Sequence, residues 1–298
     1  MMAPFASVDE IDWLRERATW PLSARSRFIS ADGLRWHVQC LGEGPPLLLI
    51  HGTGSSAHSW HRIIPLLAAR WTVVAMDLPG HGFTRGEAAH GMSLTGMSRS
   101  LGGLLRALHL QPAIVIGHSA GAAIAVRLAC DRYCAPQLLI SLNGALVSFD
   151  RRYEVLFAPL AKLLAAMPFV PQLFSWRARD RSAVERLIAS TGSRLQHQDV
   201  DLYWRLVRRP QHLAGALRMM SEWSIADMPT LLRSLPIPLL QIIGMRDGTV
   251  PPSVAERVCA LLPSAMIVRL AGLGHLAHEE QPEAVARAVF DAAGSVDV

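Results

Sequence analysis

A chain of 298 residues with 51% hydrophobic side chains is long and apolar enough to bury a sizeable core, which excludes a disordered or low-complexity protein. Its formal net charge of +5 comes from basic residues interleaved with acidic ones, and no recognition motif accompanies them, so nucleic-acid binding is not expected. The four cysteines lack the spacing of a disulfide framework, which fits a reducing compartment.

The N-terminal segment carries three acidic side chains before residue 13, where a secretory signal would be basic and then apolar. The apolar run at residues 110–130 could pass for a membrane span, but it contains His118 and Ser119. A buried parallel strand followed by a packed helix accounts better for this run. The sequence therefore predicts a cytoplasmic protein.

Strand-like and helix-like segments alternate along the first 146 residues. The predicted order is strand 27–31, strand 34–40, strand 46–50, helix 60–69, strand 72–76, helix 94–108, strand 113–116, helix 122–129 and strand 137–142. Because most of these strands are apolar throughout, they predict a mostly parallel sheet covered by helices on both faces. The first two strands, joined by Asp32-Gly33, predict an antiparallel hairpin at the sheet edge.

The segment Gly117-His118-Ser119-Ala120-Gly121 joins an apolar strand to a helix-like stretch. A serine on such a tight strand-to-helix turn is typical of a nucleophile elbow, in which glycines stand where side chains would clash. The turn lifts the serine hydroxyl clear of the sheet and aims the backbone N–H of Ala120 at an oxygen bound beside it. We therefore predict that Ser119 is a catalytic nucleophile. The alternative is a purely structural turn serine.

A second glycine-flanked turn, at residues 51–54, follows the third predicted strand. Its backbone N–H groups are expected to be unpaired, so the N–H of Thr53 can join that of Ala120 as an oxyanion hole. Such a pair of donors stabilises the charge that develops on a substrate oxygen in the transition state.

Three polar residues at the ends of these strands are predicted to be architectural. The imidazole of His51 is expected to bond to neighbouring backbone beneath its loop. Asp77 and His81 lie in a turn after strand 72–76 that bends back towards the same edge of the sheet.

Two late apolar strands are each followed by a turn that carries a candidate catalytic side chain. Asp247 follows the first, where this order of elements places the acid that orients a histidine. His275 follows the second, just past a Gly-x-Gly loop, and is the expected general base. Asp201 and Asp227 are rival acids, although neither follows a strand, and His278 is the rival base.

Residues 147–225 interrupt this alternation, because they are helix-like throughout and contain no strand-like core segment. We predict that they form a helical lid, inserted between a first part of the core at 1–146 and a second part at 226–298.

The predicted lid combines an apolar stretch at 156–176 with twelve basic and seven acidic side chains. Ordinary packing of the lid on the core, a large apolar substrate pocket, and a surface that contacts the inner membrane or a partner protein all stay open. The side chains predicted to bind substrate are Phe157, Phe174, Trp176, Arg177 and Arg179.

These motifs together resemble the α/β-hydrolase superfamily over nearly the whole chain. The resemblance is carried by the turns at 51–54 and 77–82, the serine elbow at 117–121, Asp247 and His275. It implies an α/β fold with a lid and a Ser-Asp-His triad that hydrolyses an ester-like bond of a small molecule, with no metal site and no cofactor. A serine nucleophile argues against dehalogenases and epoxide hydrolases, which use aspartate there. It does not separate esterases, thioesterases, amidases and carbon–carbon hydrolases.

A closer resemblance lies in the N-terminal part of the chain. Residues 20–39 and the stretches His51-Gly52-Thr53-Gly54 and His58-Ser59-Trp60 resemble the hydrolase-like accessory proteins of magnesium chelatase in bacteriochlorophyll biosynthesis. This resemblance implies a place in the magnesium-tetrapyrrole metabolism of photosynthetic bacteria and contact with magnesium-chelatase subunits. It implies no particular reaction.

The resemblance and the predicted lid together favour a large, flat, anionic ligand. A basic lid beside an apolar pocket suits a porphyrin with propionates, because arginine pairs carboxylates bidentately. Two alternatives stay open. One is a non-catalytic tetrapyrrole-binding or chelatase-assembly protein on a hydrolase scaffold, and the other is a generic carboxylesterase or carbon–carbon hydrolase.

Overall fold

A sheet of nine strands forms the centre of the structure, a computed structural model that describes residues 13–148 and 180–295. The strands are β1 Ser26–Ala31, β2 Leu34–Leu41, β3 Pro46–Ile50, β4 Thr72–Met76, β5 Arg85–Gly86, β6 Ile114–His118, β7 Leu138–Leu142, β8 Leu239–Gly244 and β9 Met266–Leu270. Their spatial order is β1-β2-β4-β3-β6-β7-β8-β9, and β5 pairs with β2.

The strand pairing confirms the predicted α/β class. β1 and β2 form the expected antiparallel hairpin, with Ala31 opposite Leu34, and β2 is also antiparallel to β4. Every pair from β4 through β3, β6, β7 and β8 to β9 is parallel. Since the carboxyl ends of parallel strands meet at one edge of a sheet, the turns that carry Ser119, Asp247 and His275 come together there.

Helices pack on both faces of the sheet, and further helices lie in the stretch of chain between β7 and β8. They are α1 Ile64–Leu67, α2 Leu94–Ala107, α3 Ala120–Cys130, α4 Arg181–Ser190, α5 His197–Val207, α6 Pro210–Glu222, α7 Met228–Arg233, α8 Ser253–Leu261, α9 Ala277–Glu280 and α10 Pro282–Gly294. None of the helices in the two described ranges is both long enough and apolar enough to cross a lipid bilayer.

Two local predictions differ from the structure. The helix expected at 60–69 is wrong in its extent, because a 3₁₀ turn at Ala57–Trp60 is followed by the single helical turn α1. Pro65 stands in the first turn of α1, where it has no N–H to donate and restricts the residue before it. The two-residue strand β5 was not expected, since two residues are too few to show a period.

The central strands are buried on both faces, which explains their continuous apolar sequence. In β3, Leu48 and Ile50 pack into the cluster that includes α2 and α3, whereas Leu47 and Leu49 pack into the cluster that includes α1 and α10. All four side chains are fully buried. Because neighbouring residues of a strand point to opposite faces, a strand between two helical layers needs apolar side chains at every position.

The described part of the predicted lid lies between β7 and β8. Residues 180–225 form α4, α5 and α6 and contain no strand. Val184, Ile188, Val200 and Tyr203 pack with Leu276, which follows β9, so this segment shares a small apolar cluster with the core. Its predicted boundaries at 147 and 225 stay a prediction.

Candidate active site

Ser119 lies on the tight turn between β6 and α3. Its backbone is left-handed, with φ 53° and ψ −120°, an uncommon conformation for a residue with a side chain. The turn depends on glycine at both flanks. A methyl group at Gly117 would overlap the carbonyl of Gly121, and one at Gly121 would overlap the carbonyl of Ile50. Residues 117–121 therefore form the tight strand-to-helix turn that the sequence predicts.

The loop after β3 lies against this elbow. A methyl group at Gly52 would be 3.0 Å from Cβ of Ser119, so only glycine lets the two backbones approach this closely. The next residue, Thr53, and Ala120 at the start of α3 are the two predicted oxyanion donors. Within residues 13–148 and 180–295, no atom accepts a hydrogen bond from the backbone N–H of either one. Both donors are thus available to an oxygen bound beside Ser119.

Asp247 lies in the turn after β8, and its carboxylate accepts four hydrogen bonds. Oδ1 accepts from the backbone N–H of Thr249 at 2.7 Å and from that of Val250 at 2.8 Å. Oδ2 accepts from Nδ1 of His275 at 2.7 Å and from Nδ2 of Asn143 at 2.8 Å. Its side chain is only 1% exposed. These bonds fix the carboxylate in one orientation and satisfy its lone pairs.

His275 follows β9 and receives its orientation from Asp247. Since Nδ1 donates to the carboxylate, Nε2 is the ring nitrogen that can accept a proton. Among the described residues Ser119 Oγ makes no hydrogen bond, so the bond to His275 Nε2 that a triad requires is not formed here. In free enzymes such bonds are often long and tighten only in the substrate complex.

The rival residues occupy other environments. Asp201 pairs with Arg181, and Asp227 pairs with Arg127, both in ion pairs on helices. His278 is fully buried, and this burial lowers its pKa to about 3. Neither of its ring nitrogens has a hydrogen-bond partner among the residues described.

Two polar residues that contact the acid and the base were not singled out from the sequence. Nε2 of His118 lies 2.9 Å from the carbonyl oxygen of His275, and the two rings are 4.7 Å apart. Burial and the neighbouring His275 lower the pKa of His118 well below its usual value, so it donates as a neutral ring. Asn143, which bonds Asp247, directly follows β7. Its position at the same sheet edge as Ser119 is the signal that could have identified it.

The structure supports the architectural roles of His51, Asp77 and His81. His51 Nε2 accepts from the backbone N–H of Leu78 at 2.9 Å, which leaves Nδ1 to donate to the carbonyl of Gly52. Burial lowers the pKa of His51 and takes that of His81 to about 3. His81 Nδ1 donates to a carbonyl in its own turn.

The Asp77 carboxylate binds backbone N–H groups and one imidazole. It accepts from the N–H groups of Ala57 and Phe83, each at 2.7 Å, and from Nδ1 of His37 at 2.8 Å. Burial raises the pKa of Asp77, but the charge and hydrogen bond of His37, the charge of His51 and the backbone N–H of Phe83 together outweigh burial and hold this pKa well below its usual value. The carboxylate therefore joins three separate stretches of chain.

His212 of α6 connects the segment between β7 and β8 to two other loops, and sequence reasoning missed it. Its Nδ1 accepts from the backbone N–H of Gly82, and its Nε2 donates to the carbonyl of Gly54, both at 3.1 Å. Burial lowers the pKa of His212 well below its usual value, so one nitrogen stays an acceptor. This side chain fixes the residue that follows Thr53.

The predicted substrate-binding residues lie outside the described residues, so their role stays a prediction. They are Phe157, Phe174, Trp176, Arg177 and Arg179. Across the described ranges, no group of three or more histidine, cysteine, aspartate or glutamate side chains is arranged to hold a metal ion.

Comparison with known proteins identifies the family. The model of the alpha/beta hydrolase family matches residues 47–288, which include Ser119, Asp247 and His275. The chain belongs to the α/β-hydrolase family. A crystal structure of an α/β-hydrolase fold protein from Burkholderia ambifaria matches with a TM-score of 0.76 over 89% of this chain and 97% of that one. Its 24% sequence identity makes this a likeness of fold alone.

Two relatives of this α/β hydrolase carry more specific names. The magnesium-chelatase 30 kDa subunit of Rhodobacter capsulatus is 36% identical over 92% of this chain and 96% of its own length. A pimeloyl-(acyl-carrier protein) methyl ester esterase of Vibrio vulnificus is 27% identical over 88% of this chain and 98% of its own length.

Proposed function

We propose that this α/β hydrolase is a serine hydrolase that cleaves an ester-like bond. Ser119 is the nucleophile, His275 the general base, and Asp247 the acid that orients the base. The observation that carries the proposal is the 2.7 Å bond between His275 Nδ1 and Asp247 Oδ2, because it leaves Nε2 free to accept a proton beside the elbow.

The other histidines at this edge of the sheet support the choice of His275. Burial lowers the pKa of His51, His118 and His278, so these rings are neutral near neutral pH. An imidazolium that forms during the reaction needs a carboxylate beside it, and Asp247 supplies one to His275.

The reaction begins when Ser119 Oγ attacks the carbonyl carbon of the substrate. His275 Nε2 removes the hydroxyl proton as the bond forms, and the new charge on the carbonyl oxygen is held by the N–H groups of Thr53 and Ala120. Collapse of this intermediate breaks the bond to the leaving group, which takes the proton from His275. A water molecule, deprotonated by His275, then attacks the acyl carbon. Collapse of this second intermediate breaks the bond to Ser119 Oγ, which takes the proton back from His275, and releases the acid and the free enzyme.

A fluorophosphonate probe tests the nucleophile, because it reacts with activated serines without any knowledge of the natural substrate. The purified protein should be labelled, peptide mapping should place the label on Ser119, and Ser119→Ala should abolish it while circular dichroism stays unchanged. Labelling that persists in Ser119→Ala, or that never occurs in folded wild-type protein, would contradict the proposal.

We further propose that the enzyme acts beside magnesium chelatase in bacteriochlorophyll biosynthesis and binds a tetrapyrrole. The relative named as a magnesium-chelatase subunit supports this role, since it is similar over nearly the whole of both chains. The lid at 147–225, with Phe157, Phe174 and Trp176 against the ring faces and Arg177 and Arg179 at the propionates, would form the pocket. Contact with chelatase subunits or the inner membrane would use the same basic, apolar segment.

Tryptophan fluorescence tests this role, because Trp204 and Trp223 lie on or directly after helices of the lid segment. Titration with protoporphyrin IX should quench the emission saturably in the micromolar range, and the quench should weaken in high salt and in Arg177→Gln/Arg179→Gln. A linear response together with rapid turnover of short nitrophenyl esters would favour a generic carboxylesterase.

The same relative also supports a second candidate, a tetrapyrrole-binding or chelatase-assembly protein without catalysis. The quenching titration and the fluorophosphonate label together distinguish the enzyme from the assembly protein. Saturable quenching without any fluorophosphonate label on Ser119 would favour the assembly protein, whereas both signals together favour the enzyme.

A further inference from the structure

The turn between α4 and α5, residues 191–193, lies between the two loops that carry the proposed acid and base. The carbonyl oxygen of Thr191 accepts two backbone hydrogen bonds, from Gly248 at 3.0 Å and from His275 at 3.2 Å. One atom of the lid segment thus joins the residue after Asp247 to the proposed base itself.

Glycines make this close approach sterically feasible. Gly192 has φ +80°, and a methyl group there would overlap the carbonyl oxygen of Arg246. A methyl group at Gly274 would overlap the backbone of Gly192, and one at Gly248 would lie 2.6 Å from the carbonyl oxygen of Ser190. Each of the three segments therefore presents a glycine where it meets another, and the contact is backbone against backbone.

Two side chains, Ser193 and Arg246, add hydrogen bonds to this contact on either side of His275 in the chain. Ser193 is 2% exposed, and its Oγ accepts from the backbone N–H of Leu276 at 2.8 Å. The guanidinium of Arg246 donates to the carbonyls of Gly192 and Gly272 at 3.2 and 3.3 Å. Buried N–H groups are costly to leave unpaired, so the bond to Ser193 constrains the loop that carries the histidine.

We infer that Ser193 is a positioning residue, through which the turn at 191–193 sets the separation of Asp247 and His275. The inference rests on the proposed function of those two residues. Without Ser193 Oγ the backbone N–H of Leu276 loses its partner in the turn. The backbone of His275 then keeps only its bonds to the Thr191 carbonyl and to His118, and its imidazole keeps the bond to Asp247. The segment that covers the site is then also part of what assembles it.

Ser193→Ala in the full chain tests the inference, with Ser190→Ala as its matched control. Ser190 is exposed, and its Oγ bonds only to the carbonyl of Leu187 within α4, so the same deletion there leaves the loops untouched. The rate constant of fluorophosphonate labelling should fall about 10- to 100-fold in Ser193→Ala, because misplacement of a catalytic group by about 1 Å can cost about 100-fold. It should stay at the wild-type value in Ser190→Ala.

A proton NMR spectrum provides a second readout that does not depend on reactivity. The proton between His275 Nδ1 and Asp247 Oδ2 should resonate far downfield in the wild-type protein. This resonance should broaden or disappear in Ser193→Ala and persist in Ser190→Ala. Arg246→Gln, a change at an exposed side chain, should give a smaller loss of labelling rate than Ser193→Ala.

The outcomes separate this inference from the proposed function. Failure of wild-type protein to label would contradict the serine hydrolase and leave the NMR comparison to decide the role of Ser193. Wild-type labelling together with an unchanged rate and an unchanged downfield resonance in Ser193→Ala would overturn the positioning role alone.

Discussion

The Ser119 site and a second set of serine, histidine and aspartate side chains differ mainly in what surrounds them. The second set, called here the Ser26 set, comprises Ser26, His37 and Asp77. His37 Nδ1 lies 2.8 Å from Asp77 Oδ2, and His37 Nε2 lies 2.9 Å from Ser26 Oγ. In this set both links of a triad are formed, whereas at the Ser119 site only the link from acid to base is formed.

The surroundings of Ser26 leave its hydroxyl without the means to act as a nucleophile. Ser26 lies in the extended strand β1, and its Oγ accepts a further hydrogen bond from Nε2 of Gln39 at 3.2 Å. Trp13, Phe28 and Phe83 contact the ring of His37, which is fully buried. Among the helices of residues 13–148 and 180–295, none begins directly after Ser26 to offer an N–H group, as α3 does after Ser119.

The comparison separates the proposed catalytic site from three side chains that are merely hydrogen-bonded to one another. Ser119 has three further features: a turn with positive φ, the start of α3, and a facing loop whose N–H donor is unpaired among the described residues. The turn and the facing loop meet through glycines. In the Ser26 set the same three types of side chain form hydrogen bonds that join β1, β2 and the loop after β4. The following predictions, taken from the largest effect to the smallest, test this contrast.

His275→Ala should lower the rate constant of fluorophosphonate labelling at Ser119 by about 1,000,000-fold, because serine at its ordinary pKa is a poor nucleophile without its base. Stopped-flow or gel-based labelling at several probe concentrations measures this constant. A near-wild-type constant in folded His275→Ala would move the role of base to His278.

Asp247→Asn should lower the labelling rate constant of the folded protein by about 10,000-fold, because the amide can hold the imidazole in the wrong tautomer. The matched change in the Ser26 set, Asp77→Asn, should leave the labelling rate of the folded protein nearly unchanged. Equal losses of rate in the two variants would refute the contrast between the sites.

Asp77→Asn should instead lower the free energy of unfolding, by about 2–3 kcal/mol near pH 7, because it disturbs a buried carboxylate that accepts bonds from three stretches of chain. The pKa of Asp77 is lower in the folded protein than its ordinary value of 3.8, so its contribution is complete above that value and is lost as the pH falls below it. The free energy of unfolding, measured with urea, should therefore fall more in the wild type than in Asp77→Asn as the pH is lowered from about 5 to about 3. Parallel pH profiles would contradict this assignment.

Ser26→Ala should have the smallest effect. The label on Ser119 should be unchanged, and no other labelled serine should disappear relative to the wild type. Mass spectrometry of the labelled wild-type protein provides the control, because a probe adduct on Ser26 would show that the Ser26 set is reactive.

Much of the fold could be predicted from local patterns. Strands such as β3 are apolar at every position because helices cover both of their faces, and this leaves a clear mark on the sequence. Ser119, Asp247 and His275 were predicted for a related reason, since each follows a strand in a turn rich in glycine.

The remaining contacts could not be predicted, because they join residues far apart in the chain. His37 meets Asp77 across 40 positions, Asn143 meets Asp247 across 104, and Ser193 meets Leu276 across 83. No spacing rule links such positions, and a serine or asparagine in a turn has many local uses. The Ser26 set was invisible for the same reason, since its members bond across two strands and a loop.

The two hydrogen bonds accepted by the Thr191 carbonyl also bear on how such enzymes can be recombined. Segments that cover active sites are natural units to exchange between relatives when a new substrate range is wanted. In this chain a graft that replaced the whole of the proposed lid at 147–225 would also replace the turn whose carbonyl accepts from His275 and Gly248. The exchangeable module therefore ends before residue 190, and the four residues that follow belong with the recipient.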